Sequence, residues 1–429
     1  MTTAERIYTL AMRATRRVLP LLARGEGKLA RGVRGRRGAS DRLTAWAARS
    51  REPGRPLVWF HAPSVGEGLQ AAAVIDALRE LRPDTQIAYT FFSPSAERLA
   101  ERIAADVADY LPLDLPDELR PVLDALSPDA LVFSKTEVWP VLSREAANRG
   151  IPVLLLNATL PPSSSRLRTP ARLLLSPAHA RLTRVGAIAP GDAERFRLLG
   201  VSSDRLVVTG DARFDQVARR AAAVDRQGPL LAPLADLERL TIVAGSTWPE
   251  DEDPLVAAFG ALPDWSRRHR MIIAPHEPTE PHLRELERNL NQAGIEHVRL
   301  GARSGDGTMP PVIVVDRVGI LGELYALADV AYVGGGFGGA GLHSVLEPAA
   351  FGAPVLFGPR HANAREAGEL VEVGGAYVAG DRLELSRLLV RLLTNAEARR
   401  ASGLAARNYV EEGVGAARRG AELVAELLE

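Results

Sequence analysis

Most of this chain repeats one unit: a short apolar run, a turn rich in glycine or proline, then a segment with apolar residues at helical spacing. In the first half the runs fall at 57–62, 86–92, 130–135, 152–158, 185–189 and 206–209. Helical patterns lie between them at 67–80, 95–105, 116–126, 138–149 and 191–199. The runs are unbroken rather than alternating, as in parallel strands covered on both faces. The stretch 216–238, with Gly228, Pro229 and Pro233, interrupts the pattern and reads as a connection. A second series then begins, with strands at 240–245, 270–274, 312–315, 330–333 and 354–357. Its helices are expected at 253–260, 281–293, 320–327, 343–351 and 363–371. The expectation is an α/β fold of two doubly wound, Rossmann-like domains facing across a cleft. The predicted organisation is a basic segment 1–44, a first domain 45–225 and a second domain 235–429 ending in a helical tail from about 385, with two courses open to that tail, packing on the second domain or crossing back to the first.

Composition narrows the function. Cysteine is absent, which removes disulfides, thiolate metal sites and a catalytic Cys. The formal charge is zero, which argues against a nucleic-acid binder working through bulk electrostatics. The basic residues are unevenly spread: residues 1–55 hold fourteen Arg or Lys against Glu5, Glu26, Asp41 and Glu52. No stretch approaches the roughly 20 apolar residues needed to span a bilayer. The N-terminal apolar residues are interrupted by Arg13, Arg16 and Arg17, too broken for a signal peptide. Two readings of this segment stay open, an amphipathic helix on anionic lipid and a solvated basic arm.

The chemistry-bearing motifs lie where strands hand over to helices, the edge at which open α/β sheets bind ligands. "HAPSVGEG" (61–68) places Glu67 in a glycine turn after the first strand, and "FSKTEVWP" (133–140) places Glu137 after another. "LNATLPPSSSRL" (156–167) offers Asn157, Ser163, Ser164, Ser165 and Arg166, suited to a polyhydroxyl or phosphorylated acceptor and equally ordinary turn residues. "VGGGFGGAGLHSVLE" (333–347) ends a strand in a glycine-dense loop, with a helix expected to open at His343. Such a loop suits a phosphate, although neither a Walker A loop nor a dinucleotide fingerprint is present. Glu347, four residues after His343, is expected on the same helical face, able to hold ribose hydroxyls or to be a surface acid. In "AGSTWPE" (244–250), Ser246 and Thr247 are read as helix caps or ligand contacts. "FGPRHANARE" (357–366) brings Arg360, His361 and Asn363 to the same edge, and His276 ends a strand without ligand spacing, so no metal is expected.

Taken together these motifs resemble the 3-deoxy-D-manno-octulosonic acid (Kdo) transferases of Gram-negative lipopolysaccharide synthesis. "KLARGVRGRRG" (28–38), "WFHAPSVGEG" (59–68), "KTEVWP" (135–140), "NATLPPSSSR" (157–166), "GDARFD" (210–215), "AGSTWPEDE" (244–252) and "GGGFGGAGLHSVLEPAAFGAPVLFGPRHAN" (334–363) follow in the family's order. Three departures stand out. Lys135 occupies the place of a glutamate, Thr159 that of an arginine, and "PHEPTEP" (275–281) lacks an arginine of the family motif, for which Arg360 is the available substitute.

The resemblance implies a GT-B type inverting glycosyltransferase without a cofactor, moving Kdo from CMP-Kdo to a lipid A precursor. It implies Glu67 as the base with Glu137 as a second carboxylate. CMP contacts fall to Ser246, Thr247, His276, Gly338, Gly339, Gly341, His343, Glu347, Arg360 and Asn363, with Asn363 steadying the loop. Acceptor contacts fall to Ser64, Asn157, Ser165 and Arg166. Peripheral or monotopic attachment to the cytoplasmic face of the inner membrane, an anionic surface, is implied as well. Alternatives remain: another donor or acceptor, a non-catalytic membrane-bound sugar-nucleotide binder, and a nicotinamide-dependent oxidoreductase, which lacks its fingerprint here.

Overall fold

The computed structural model describes residues 1–236, 238–302 and 309–428. It divides into two units, one of residues 1–216 together with the chain from Val414 onward, the other of residues 217–413.

The first unit carries a seven-stranded sheet with strands β1 (Leu57–His61), β2 (Gln86–Phe91), β3 (Val107–Tyr110), β4 (Ala130–Ser134), β5 (Val153–Ala158), β6 (Arg184–Ala187) and β7 (Leu206–Val208). Their order is β3-β2-β1-β4-β5-β6-β7, and every pairing is parallel. The strand order reverses between β1 and β4, where His61 pairs with Phe133, so this is the crevice at which a doubly wound sheet admits ligands. β1, β2, β4 and β5 are buried along their whole length, which is why each reads as an unbroken apolar run.

Three helices precede the sheet: α1 (Thr3–Leu22), α2 (Lys28–Arg36) and α3 (Ala39–Ser50). They are not a solvated arm. Glu5 is buried and pairs with Arg181 at 2.5 Å, Arg16 pairs with Asp117, Arg31 with Glu97 at 2.8 Å, and Arg42 with Asp109 at 2.6 Å. Part of the N-terminal positive charge is thus spent fastening these helices to the first unit.

The second unit carries β8 (Leu240–Thr247), β9 (His269–Pro275), β10 (His297–Arg299), β11 (Val312–Val314), β12 (Val330–Val333), β13 (Val355–Phe357) and β14 (Ala376–Val378). The order is β10-β11-β9-β8-β12-β13-β14, again wholly parallel, with the reversal between β8 and β12. Both units are therefore doubly wound α/β folds.

The last helix lies outside the predicted second domain of 235–429: of the two courses open to the tail, it takes the return to the first unit. Helix Ala416–Ala425 packs in the first unit against α4 (Val65–Leu81), placing Ala417, Ala421 and Val424 in that core. Small residues permit the close approach: a Cβ on Gly420 would lie 3.5 Å from both Val74 and Leu156. Asp215 fixes the helix start, accepting the N–H groups of Gly415 at 2.8 Å and Ala417 at 3.1 Å.

Candidate functional site

In the first unit, the reversal between β1 and β4 gathers the two carboxylates. α4 begins directly after β1, with Ser64 as its N-cap and Glu67 in its first turn. The Ser64 hydroxyl donates to Glu67 Oε2, and the Ser134 hydroxyl donates to the Glu67 carbonyl at 3.4 Å. Lys135 Nζ lies 3.6 Å from Glu67 Oε1. The Glu67 side chain is 16% exposed and that of Lys135 44%, so both present a face to solvent. Glu137 pairs with Arg166 at 3.5 Å. Burial raises the Glu137 carboxyl, the nearby Glu67 charge adds to this, and Arg166 and Lys135 oppose it.

The backbone at these strand ends is constrained. Lys135 and Asn157 have φ of +71° and +52°, left-handed values for residues carrying a Cβ. Such conformations cost on the order of 1–3 kcal/mol and persist only where the surroundings enforce them. Asn157 is buried, and its side-chain oxygen accepts the Ala212 N–H at 3.1 Å. It shapes the site from behind instead of facing an acceptor. Ser165 is exposed, and Arg166 already shares its charge with Glu137.

His61, at the end of β1, was not singled out from sequence. It is buried, sits 3.0 Å from the Thr90 hydroxyl and lies edge-on to Phe133 and Trp139. Burial presses its imidazole down to about 3, so it is a neutral wall beneath the Glu67 turn.

In the second unit, the reversal between β8 and β12 holds the glycine loop. The helix expected at His343 starts three residues later, as Leu346–Ala350, and is five residues long. Pro348 falls in its first turn, where the missing N–H leaves no intrahelical bond unmade. His343 and Glu347 therefore do not share a helical face, and anion binding cannot be credited to a helix dipole at His343. Backbone donors remain: among the described residues, the N–H groups of Gly338, Gly339, Ala340 and Gly341 make no intramolecular hydrogen bond. Space is open at Gly339, whereas the Glu250 carboxylate stands against Gly338, where an added Cβ would meet it at 3.2 Å.

Side chains hold this loop from both flanks. Asn363 accepts the Leu342 N–H at 3.0 Å and donates to the Leu342 carbonyl at 2.9 Å. Arg360 donates to the Gly338 carbonyl at 3.2 Å. Two residues missed from the sequence complete the arrangement. Asp251 is buried and accepts the N–H groups of Gly335 and Phe337, the Trp248 N–H and the Tyr332 hydroxyl. Trp248 donates its indole N–H to His343 Nε2 at 3.1 Å, and His276 stacks on His343 at 4.2 Å between ring centroids. Burial, reinforced by His276, lowers the His343 imidazole, so it faces the loop neutral.

The remaining residues divide. Thr247 is buried and gives its hydroxyl to Glu252 at 2.8 Å, so it supports β8 from within and faces no ligand. Ser246, with φ +53°, is partly exposed at the strand end. Glu347 is partly buried and pairs with Arg220 at 3.1 Å; burial raises its carboxyl, and Arg220 offsets part of that.

Comparison with known proteins finds relatives in sequence and in fold. Residues 36–216 match the family model of 3-deoxy-D-manno-octulosonic-acid transferase (kdotransferase). A 3-deoxy-D-manno-octulosonic acid transferase of Bordetella pertussis is 30% identical over 431 residues, covering 96% of this chain and 97% of its own. A Haemophilus influenzae protein of the same name is 27% identical over 379 residues, covering 87% of each chain. In fold, the chain is similar to UDP-GlcNAc 2-epimerase from Neisseria meningitidis, with a TM-score of 0.63 at 15% identity over 87% of this chain and 99% of that one. With sequence likeness running through nearly its whole length, this chain belongs to the 3-deoxy-D-manno-octulosonic acid transferase family.

Proposed function

We propose that the protein is an inverting transferase that moves Kdo from CMP-Kdo to a lipid A precursor, with Glu67 as general base. Membership of the family supports Kdo transfer in lipopolysaccharide biosynthesis. The observation that carries the mechanism is the position of Glu67 at the β1–β4 reversal, partly exposed and oriented by Ser64 and Lys135. In this reading Glu67 takes the proton of the acceptor hydroxyl as its oxygen attacks the anomeric carbon. The C–O bond to CMP breaks, and its electron pair leaves on the phosphate. Unpaired N–H groups of Gly339 and Gly341 meet that charge, with Gly338 and Arg360 alongside. Ser246, His276 and His343 line the CMP site, Glu347 holds the ribose, and Asn363 keeps the loop in shape. Glu137 and Arg166, with Ser64 and Ser165, face the acceptor; Glu137 orients it.

Attachment to the cytoplasmic face of the inner membrane belongs to the same proposal. Among the described residues no helix is long and apolar enough to cross a membrane. α1, however, exposes Ile7, Leu10, Val18 and Leu21. At 100° per residue these form one stripe, flanked by exposed Arg6, Arg13 and Arg17. An apolar stripe beside cations suits an anionic bilayer surface. The deciding experiment for the donor is calorimetry with CMP, UDP and NAD. Selective CMP binding is expected, and selective UDP or NAD binding would overturn the donor assignment.

A further inference from the structure

We propose that Lys135 recognises the donor by binding the carboxylate of the transferred sugar acid beside Glu67, an inference that rests on the transfer reading above. Both backbone groups of Lys135 are engaged: its N–H donates to the Leu156 carbonyl at 2.8 Å, and its carbonyl accepts the Thr159 N–H at 3.2 Å. The left-handed turn at φ +71° is thereby fixed, and the side chain is delivered to Glu67, 3.6 Å from Oε1. Lysine itself is notable here. Of the 53 basic residues only Lys28 and Lys135 are lysines, and among the described residues the cation paired with Glu67 is this compact ammonium in a chain that is otherwise rich in arginine.

The chemistry of the sugar supplies the ligand. A 2-ulosonic acid bears its carboxylate on the anomeric carbon, the atom under attack. The attacking oxygen must come within about 3–3.5 Å of that carbon. The same hydroxyl must lie about 2.7 Å from its base. The sugar carboxylate consequently arrives within a few ångströms of Glu67, and two carboxylates so placed repel. An ammonium has three N–H donors. One can serve Glu67, and the exposed face of Lys135 leaves others for the incoming carboxylate. The other cation at this edge, Arg166, is already paired with Glu137.

The test pairs Lys135→Met with two donors, CMP-Kdo and its C1 carboxamide. Loss of a charge-assisted contact should lower kcat/KM for CMP-Kdo by roughly tenfold to a hundredfold, mainly through KM. The carboxamide donor should lose clearly less, only what the Lys135–Glu67 contact contributes to placing the base, and CMP affinity and melting temperature should be unaltered. Lys135→Arg should restore part of the discrimination between the donors. Reductive methylation, mapped by mass spectrometry, should show Lys135 protected by CMP-Kdo and not by CMP. Equal losses on both donors, or protection by CMP alone, would overturn the inference while leaving transfer intact. A wild-type protein that turned over neither donor and did not select CMP would instead fail the transfer reading, and this inference with it.

Discussion

Asp251 accepts the N–H of Gly335 at 2.7 Å, tying an acid in the first turn after β8 to the loop that follows β12. The same carboxylate holds Phe337, Trp248 and Tyr332, so one buried side chain fixes both flanks of the reversal. The packing leaves no slack, since a Cβ on Gly334 would lie 2.2 Å from the Ser246 carbonyl oxygen. Asp251→Ala would strand several buried donors, at about 1–3 kcal/mol for each that finds no water. A stability loss of several kcal/mol and at least tenfold weaker CMP binding are expected, by urea denaturation and calorimetry. Asn363→Ala, which frees only the groups of Leu342, should cost about 1 kcal/mol. Normal CMP binding by Asp251→Ala would show that the loop keeps its shape without this acid.

Asp114, near Tyr8 of α1, makes stability depend on pH. It is buried, accepts the N–H groups of Val141 at 3.0 Å and Leu142 at 2.8 Å, and lies near the Tyr8 hydroxyl. Burial outweighs these donors and pushes its carboxyl up to about 6. A folded value above the unfolded one stabilises the fold at low pH, and that contribution is lost as pH rises through about 6. Buried His61 acts in the opposite sense: its contribution is present above about 6.5 and is lost as pH falls toward 3. The wild-type curve mixes both, whereas Asp114→Asn removes only the first. The stability of wild type relative to Asp114→Asn should increase by roughly 2–3 kcal/mol from pH 7 to pH 4. A constant difference across that range would place the Asp114 carboxyl at its ordinary value.

What the sequence revealed follows from burial. β1, β4, β5, β8 and β12 lie at the centres of their sheets, so their apolar runs are unbroken and legible. β3, β10 and β14 escaped notice because they are short edge strands with polar or half-exposed positions. The Glu67 and glycine-loop motifs were visible because they follow strongly apolar strands. Asp251 was not, since an acid in a first helical turn is ordinary. Its role arises only when β12 is laid beside β8, some eighty residues on in the chain. The helix Ala416–Ala425 has an amphipathic face that names no partner, and only folding reveals α4 as its neighbour.

The membrane reading calls for substitutions on the outer face of α1. Truncation of residues 1–37 would remove Glu5 and Tyr8, taking the ion-pair partner from partly buried Arg181 and uncovering Asp114. Such a protein could fail for reasons unrelated to lipid. Changing Ile7, Leu10, Val18 and Leu21 together to serine spares the packed side, because all four are exposed. Binding to anionic vesicles should fall at least tenfold in a sedimentation assay, with the melting temperature unchanged. Undiminished vesicle binding would show that this stripe is not the attachment surface.

Glu67→Gln separates catalysis from helix capping. Glu67 lies in the first turn of α4, where an acid could act merely by complementing the positive helix end, worth about 0.3–1 kcal/mol. Glutamine keeps the size of the side chain and can still accept the Ser64 hydroxyl, while it gives up the charge that complements the helix end. It cannot take a proton from an acceptor hydroxyl. If Glu67 is the base, kcat should drop by roughly 10²–10⁴-fold. CMP affinity should be unchanged, because the nucleotide is assigned to the second unit, and melting should shift by no more than the capping term. Glu67→Asp provides the control for reach: it keeps the acid, shortens the arm by one methylene and should retain more activity than glutamine. A glutamine variant with lowered stability and an unaltered rate would reduce Glu67 to a capping residue and move the base to another group at the β1–β4 reversal, where Glu137 is the remaining carboxylate.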